Sequence, residues 1–178
     1  SYALEVLLAH SGVCSVTVAL AETDARFDSL ATAIADERIK KVIGGDTRAE
    51  SVFNALQSLT SVAKGNDFVL VHDAARPLLH EEDLAALVEA VNKSDVGGIL
   101  ATSIVDTLKR SEENPVISAS PRIEQTLSRD RIWSAQTPQM FRFSVLLGAL
   151  SAALDSSANE QLIEITDEAS ACEAAGYF

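Results

Sequence analysis

The chain has 178 residues, enough for one domain with a substantial buried core, and nothing in its length requires two. Its 26 Asp and Glu against 14 Lys and Arg leave a net charge of −12. That balance excludes a general nucleic-acid binder, because such proteins neutralise phosphates with clustered cations, and any anionic ligand must be held locally. The hydrophobic residues, 47% of the chain, come in short alternating blocks. No block approaches the roughly 20 apolar residues of a membrane span, so the expectation is a soluble, cytoplasmic protein with no membrane partner.

The first residue is Ser1 rather than Met, and the sequence opens directly into helical spacing, SYALEVLLAH, with Ala3, Leu7 and Leu8 on one face. The beginning reads as cut. Residues 13–20 (VCSVTVAL) alternate apolar with small or polar side chains, which predicts a strand, and 28–36 (DSLATAIAD) return to helical spacing. A short strand over 39–43 closes on Gly44 and Gly45. Residues 46–59 then place Val52, Ala55, Leu56 and Leu59 on one helical face, with Asp46 as N-cap. Cys14 falls in a predicted strand and Cys172 in a predicted helix, with no C-x-x-C or metal-ligand spacing. Both read as buried thiols in a reducing cytosol.

The segment FVLVHDAARP, residues 68–77, is the most informative. A short apolar run predicts a buried strand, and it ends in His72, Asp73, Ala74, Ala75, Arg76 and Pro77. Charge at the carboxyl end of a strand matters because ligands of open α/β sheets bind at that edge. An amphipathic helix over 81–91, with acids in its first turn, and a strand over 97–101 follow. Strands alternating with helices of these lengths predict an α/β fold with a parallel sheet covered on both faces. The alternation breaks after Ala101. From 102 to 139 there is no good helix, and Pro115, Pro121, Pro138 and β-prone stretches such as PVISA and RIWSA predict an extended excursion. Residues 143–154 and 166–175 resume helical spacing, the latter with Thr166 as N-cap.

Several residue sets carry two readings. Gly44, Gly45 and Asp46, followed by Arg48 and Ser51, are a tight turn with a cap or a backbone cradle for a base or phosphate. Asp73 and Arg76 are a surface ion pair or the flanks of a metal-bridged phosphate, with the two alanines between them letting the backbone approach a ligand. His72 reads as a packed, hydrogen-bonded residue. Thr107 and Lys109 suit a phosphate or a solvated loop, and Arg122, Arg129 and Arg131 suit a phosphate, an acidic partner or solvent. Asp167 and Glu168 begin a helix, where acids are explained by stability. No catalytic triad, H-E-x-x-H, Walker A or G-x-G-x-x-G pattern is present.

In order, G-G-D-x-R-x-x-S-V, V-H-D-A-A-R-P, G-G-I-L-A with D-T-L-K-R, W-x-A-x-T-P-Q-x-F and I-T-D-E-A-S-A resemble one family. It is the 2-C-methyl-D-erythritol 4-phosphate cytidylyltransferases of the non-mevalonate isoprenoid pathway, and the likeness runs over about residues 42–176. The resemblance implies transfer of CMP from CTP to methylerythritol phosphate, with pyrophosphate released and Mg2+ required. It implies one nucleotidyltransferase domain over residues 1–178, with a Rossmann-like, mostly parallel sheet and a β arm over about 103–139 that builds a homodimer. Gly45, Asp46 and Ser51 match nucleotide-contacting positions, and Asp73 and Ala74 match the ribose and metal-proximal site, with Asp73 the metal residue. Arg76, Thr107, Thr137 and Thr166 match positions that hold methylerythritol phosphate. Arg129 matches the catalytic residue that positions this substrate in the neighbouring subunit's site.

The chemistry agrees in kind, since phosphoryl-type transfer needs positioning and charge neutralisation rather than a covalent nucleophile. The resemblance also implies an N-terminal glycine-rich loop, roughly A-A-G-x-G-x-R-M with a P-K-Q segment, and a C-terminal N-I-K-V-T-type strand that this sequence does not contain. The expectation is that the 178 residues alone do not turn over CTP and belong to a longer enzyme. Two alternatives stand beside this reading: a cytidylyltransferase for another polyol phosphate such as ribitol phosphate, and a non-catalytic remnant that binds nucleotide or dimerises.

Overall fold

The structure is a computed structural model that describes residues 2–112, 120–157 and 165–178. Two compact units emerge: residues 1–100 together with 137–178, and residues 101–136. Pro115 and the PVISA stretch lie outside the described residues.

In the larger unit the chain runs α1 (Tyr2–Ala9), β1 (Val16–Leu20), α2 (Phe27–Ile34), β2 (Ile39–Ile43), α3 (Arg48–Ser58), β3 (Phe68–Val71) and α4 (Glu81–Val91). The strand β4 (Gly97–Ser103) leads out of this unit and β7 (Trp133–Arg142) leads back, before α5 (Phe143–Ser157) and α6 (Glu168–Ala174). Parallel pairing is present between β1 and β2, in register from Val16 opposite Ile39 to Leu20 opposite Ile43. The other sheet has the order β3-β7-β4. There β7 runs antiparallel to β3, with Phe68 opposite Arg142 and Val71 opposite Gln139. The returning strand thus inserts beside β3, a pairing of residues far apart in sequence that local patterning does not reveal.

Helices cover both faces of this sheet, and β3 shows it residue by residue. Side chains alternate across a strand. Val69 and Val71 pack on a cluster built by Leu56 of α3, Phe141 of β7, Phe143, Leu146 and Leu150 of α5, and Ala171 and Cys172 of α6. Leu70 packs on the opposite side against Val6 and Leu7 of α1 and Leu84 of α4, and Phe68 against Leu87 and Val91 of α4 and Met140. Fully burying a leucine contributes about 1.5–3 kcal/mol, so Leu84, Leu146 and Leu150 anchor both layers. Gly97 has a packing reason. A Cβ there would stand 2.3 Å from the Met140 carbonyl oxygen and 2.4 Å from the Phe141 ring, so β4 meets β7 this closely only through glycine.

The smaller unit holds β5 (Leu108–Ser111) and β6 (Ile123–Leu127), paired antiparallel from Leu108 opposite Leu127 to Ser111 opposite Ile123, with an irregularity at Arg110 and Ser111.

Three local expectations need correction. The N-cap of α3 is Thr47, not Asp46: its hydroxyl accepts from the Glu50 amide while the Glu50 carboxylate accepts from the Thr47 amide. The N-cap of α6 is Asp167, not Thr166, because the Asp167 carboxylate reaches the Ser170 amide at 2.8 Å. In both cases the residue with the reciprocal partner three positions on wins. Cys14 precedes β1 and is exposed rather than buried in a strand. Cys172 is buried, and that burial, with Glu168, Asp167 and Glu173 nearby, pushes its thiol up to about 11.

Candidate functional site

Three chain segments of the larger unit meet through side chains: the start of α3, the end of β3 and the start of α6. At the end of β3 the Arg76 amide donates to the Asp73 carbonyl at 2.9 Å, closing a turn whose centre is the exposed pair Ala74 and Ala75. The turn brings Arg76 Nε to 3.5 Å from Asp73 Oδ2, so the ion pair expected from the sequence exists, though long. The nearer cation is one the sequence reading did not pair with Asp73. Arg48 Nε donates to Asp73 Oδ1 at 3.0 Å, with Nη2 at 2.9 Å from the same oxygen.

The same guanidinium grips Glu168 in a fork, Nη1 to Oε1 at 2.7 Å and Nη2 to Oε2 at 2.9 Å. Glu168 is 1% exposed although it begins a helix. Its acid therefore serves as the buried anchor of Arg48, in addition to favouring the amino terminus of α6. The hydrogen bond that Arg48 donates to Glu168, opposed by burial and reinforced by Asp73, raises the Arg48 pKa further above its already high value. Gln139 of β7, also 1% exposed, clamps the start of α6. Its amide nitrogen donates to Asp167 Oδ2 at 2.8 Å and its oxygen accepts from the Ala169 amide at 2.9 Å.

Thr137 and His72 brace the strand end from beneath. The Asp73 amide donates to Thr137 Oγ1 at 3.1 Å, and that hydroxyl lies 3.1 Å from His72 Nδ1. The Thr137 proton goes to Nδ1 in this arrangement, leaving Nε2–H to donate to the Arg76 carbonyl at 2.9 Å. Both contacts are satisfied by neutral imidazole, in keeping with the packed role expected of His72. Burial lowers its pKa, against the opposing effects of the Arg76 carbonyl and Asp73 and together with the repulsion of Arg76.

With its folded pKa depressed, His72 binds its proton less readily in the native state than in the unfolded chain. Above the unfolded pKa of about 6.5 the neutral ring contributes its full stability; as pH falls below that, the unfolded chain takes the proton first. Stability is therefore lost until the folded pKa is passed. The melting temperature is expected to fall more steeply between pH 7 and pH 5 in the parent than in His72→Gln, as read by circular dichroism; equal slopes would contradict the neutral ring.

At the other segment, Gly44 donates its amide to the Leu20 carbonyl at 2.8 Å and Gly45 donates to Ser51 Oγ at 3.0 Å. A Cβ on Gly45 would stand 2.3 Å from Glu50 Cβ, so the second glycine is required for the turn to lie against α3. Asp46 is exposed beside it. Thr166 is exposed before α6, its amide donating to Ser170 Oγ at 3.1 Å.

Gly45, Asp46, Ser51, Asp73, Ala74, Arg76, Thr137 and Thr166 all belong to the larger unit. Thr107 and Arg129 belong to the smaller one. There Thr107 is exposed ahead of β5, Lys109 donates to Thr126 Oγ1 at 2.7 Å, and an Arg129 Nη1 proton goes to the Val105 carbonyl. Among the described residues no three His, Cys, Asp or Glu side chains gather as a metal cluster, and no helix is long and apolar enough to cross a membrane.

An α/β unit in which a glycine turn leads into α3, and Arg48 of that helix meets Asp73 beside Arg76 at the end of β3, defines a class of protein suited to a phosphorylated ligand at its strand ends. The model of the family 2-C-methyl-D-erythritol 4-phosphate cytidylyltransferase (IspD) matches residues 1–178, more than the stretch that the sequence motifs cover. The enzyme of that name from Vibrio vulnificus strain CMCP6 is 43% identical over 172 residues, 97% of this chain and 68% of the relative. That from Mannheimia succiniciproducens is 44% identical over 176 residues, 99% of this chain and 70% of the relative. A crystal structure of 4-diphosphocytidyl-2C-methyl-D-erythritol synthase superposes with a TM-score of 0.82 at 37% identity, covering 99% of this chain and 76% of that one. The chain belongs to the 2-C-methyl-D-erythritol 4-phosphate cytidylyltransferase family.

Proposed function

We propose that this chain carries cytidylyl transfer from CTP to 2-C-methyl-D-erythritol 4-phosphate, with both ligands held at the rim formed by the ends of β2 and β3 and the start of α6. The observation that carries the reading is Asp73 braced between Arg48 and Arg76 at the end of β3, in a chain of this family. A phosphate oxygen of the acceptor attacks the α-phosphorus of CTP, the new P–O bond forms as the bond to the β-phosphate oxygen breaks, and pyrophosphate leaves with the electron pair. No protein nucleophile is required, and the residues act by holding two repelling anions in line.

In this reading Gly45, Asp46 and Ser51 serve the base and nearby nucleotide, Asp73 and Ala74 the ribose side, and Arg76, Thr137 and Thr166 the methylerythritol phosphate. Thr137 takes part with a hydroxyl whose proton goes to His72 and which already accepts from Asp73, so its remaining lone pair serves a hydroxyl of the methylerythritol rather than an anionic phosphate oxygen. Magnesium is compatible with this rim. A single carboxylate plus substrate phosphates and water is a common magnesium environment; in Asp73, Oδ1 faces Arg48 and Oδ2, which meets Arg76 Nε at 3.5 Å, is the oxygen that would turn to the ion. When bound, the ion neutralises triphosphate charge.

We further infer a homodimer formed through the smaller unit, in a cytoplasmic enzyme. Val105, Ile123, Ile132 and Trp133 of that unit are 44–77% exposed, an apolar surface that a second copy would cover. Sedimentation of the parent against Trp133→Ser tests it, with a lighter species expected for the variant and equal masses counting against the arm. Arg129→Ala is expected to reduce turnover about 10²-fold with little change in melting temperature, because an exposed arm residue contributes little to the core. Parental turnover in that variant would remove Arg129 from the mechanism.

The reaction itself is tested on the complete polypeptide that carries this sequence. With CTP, Mg2+ and methylerythritol phosphate, pyrophosphate release and a diphosphate-linked product in the 31P spectrum are expected. Product from ribitol phosphate alone would reassign the acceptor, and no product from either, with no thermal shift by CTP, would overturn the enzyme reading.

A further inference from the structure

We propose that Arg48 is a positioning residue for the nucleotide site: anchored on buried Glu168, it occupies Oδ1 of Asp73 and so holds that carboxylate in one orientation, leaving Oδ2 beside Arg76 as the edge offered to ligand. The inference rests on the reading of Asp73 given above and deepens it. Three observations support it independently of the family.

First, the grip is geometric. Arg48 uses Nη1 and Nη2 on the two oxygens of Glu168 and Nε and Nη2 on one oxygen of Asp73. A planar fork can serve two carboxylates along two of its edges, and a lysine ammonium, a point donor on a flexible stem, cannot. Second, the anchor is immobile. Glu168 is 1% exposed and stands in the first turn of α6, beside the Asp167 cap, and Gln139 clamps that turn to β7. Rigidity thus passes from the sheet through Gln139, Glu168 and Arg48 to Asp73. Third, Asp73 is pinned from its backbone as well, through its amide on Thr137. A carboxylate only 30% exposed and fixed at both ends does not need ordering when ligand arrives.

A purely electrostatic role makes a different prediction. One guanidinium and two carboxylates carry the same net charge as Asp73 alone. The double variant Arg48→Met/Glu168→Leu therefore leaves the local charge unchanged and avoids stranding a buried ion, while it removes the fork. If Arg48 positions Asp73, the double variant keeps the parental melting temperature to within a few degrees but loses about 10–100-fold in kcat/KM for CTP. Its Mg2+-dependent CTP binding by calorimetry weakens by a similar factor, and its crystals show Asp73 in more than one rotamer. Arg48→Lys, which keeps the charge, is expected to share the kinetic loss and supplies the second test should the double variant fold poorly.

Parental CTP binding and a single Asp73 rotamer in both variants would overturn the proposal. If the parent itself neither binds CTP nor turns it over, the reading of the site has failed, and the Asp73 rotamer still decides what Arg48 does.

Discussion

Replacing Arg48 by alanine is expected to destabilise the fold by about 3–5 kcal/mol, the largest single loss anticipated for a polar residue of this chain. The reason lies in the asymmetry of the pair. Glu168 is 1% exposed, so without Arg48 it is an ionised carboxylate sealed from water with its fork partner gone. Arg48 is 38% exposed and keeps Asp73, so Glu168→Gln, which strands a guanidinium that water can reach, is expected to lose only about 1–2 kcal/mol. Exchanging both partners for apolar residues is expected to be nearly neutral, since the desolvation of two charges disappears together with their attraction. Urea unfolding checks the order: the midpoint falls most for Arg48→Ala at an unchanged m-value. A larger loss for Glu168→Gln would show that the buried acid is not the costly member.

Asp73→Asn is expected to do the opposite, leaving the fold in place and removing the activity. Its ion pairs join partly exposed groups, and such pairs contribute about 0–1 kcal/mol, so the melting temperature should move by no more than a few degrees. Turnover of CTP, in contrast, is expected to drop on the order of 10²–10³-fold, the usual consequence of removing one preorganised polar group from the reacting centre. Steady-state kinetics at several Mg2+ concentrations separate the two quantities. A variant with near-parental kcat at every concentration would take Asp73 out of the site. Set beside Arg48→Ala, the pair of variants divides the cluster into a residue that supports the structure and one that meets ligand.

Much of the site was legible in the linear order of residues because strand ends and helix starts are local events. The apolar run of β3 stopping at His72 and Asp73, the glycines ahead of α3 and the acids opening α4 and α6 are each written within a few positions. The caps lie one residue beyond the sequence expectation, at Thr47 rather than Asp46 and at Asp167 rather than Thr166, because competing side chains sit side by side and only the reciprocal bond to Glu50 or Ser170 decides between them. Arg48 was visible as part of a motif, but its partners are 25 and 120 positions away. An acid in a first helical turn already has an explanation in the helix dipole, which hid the second role of Glu168. Gln139 is hidden in the same way, as one polar residue at the end of a stretch that reads as an extended arm but is buried where β7 returns between β3 and β4.

The sequence by itself determined the alternation of strands and helices, the family, and which residues end β3 and lead into α3, since all of these depend on side-chain period and short spacings. Tertiary structure alone decided that β7 lies antiparallel against β3, that Thr137 and His72 brace the turn, and that one guanidinium joins α3, β3 and α6. The physical reason is the same in each case. A long-range contact forms where packing of the whole chain removes water from a pair of groups, and no local pattern encodes which distant partner will be there when the water leaves.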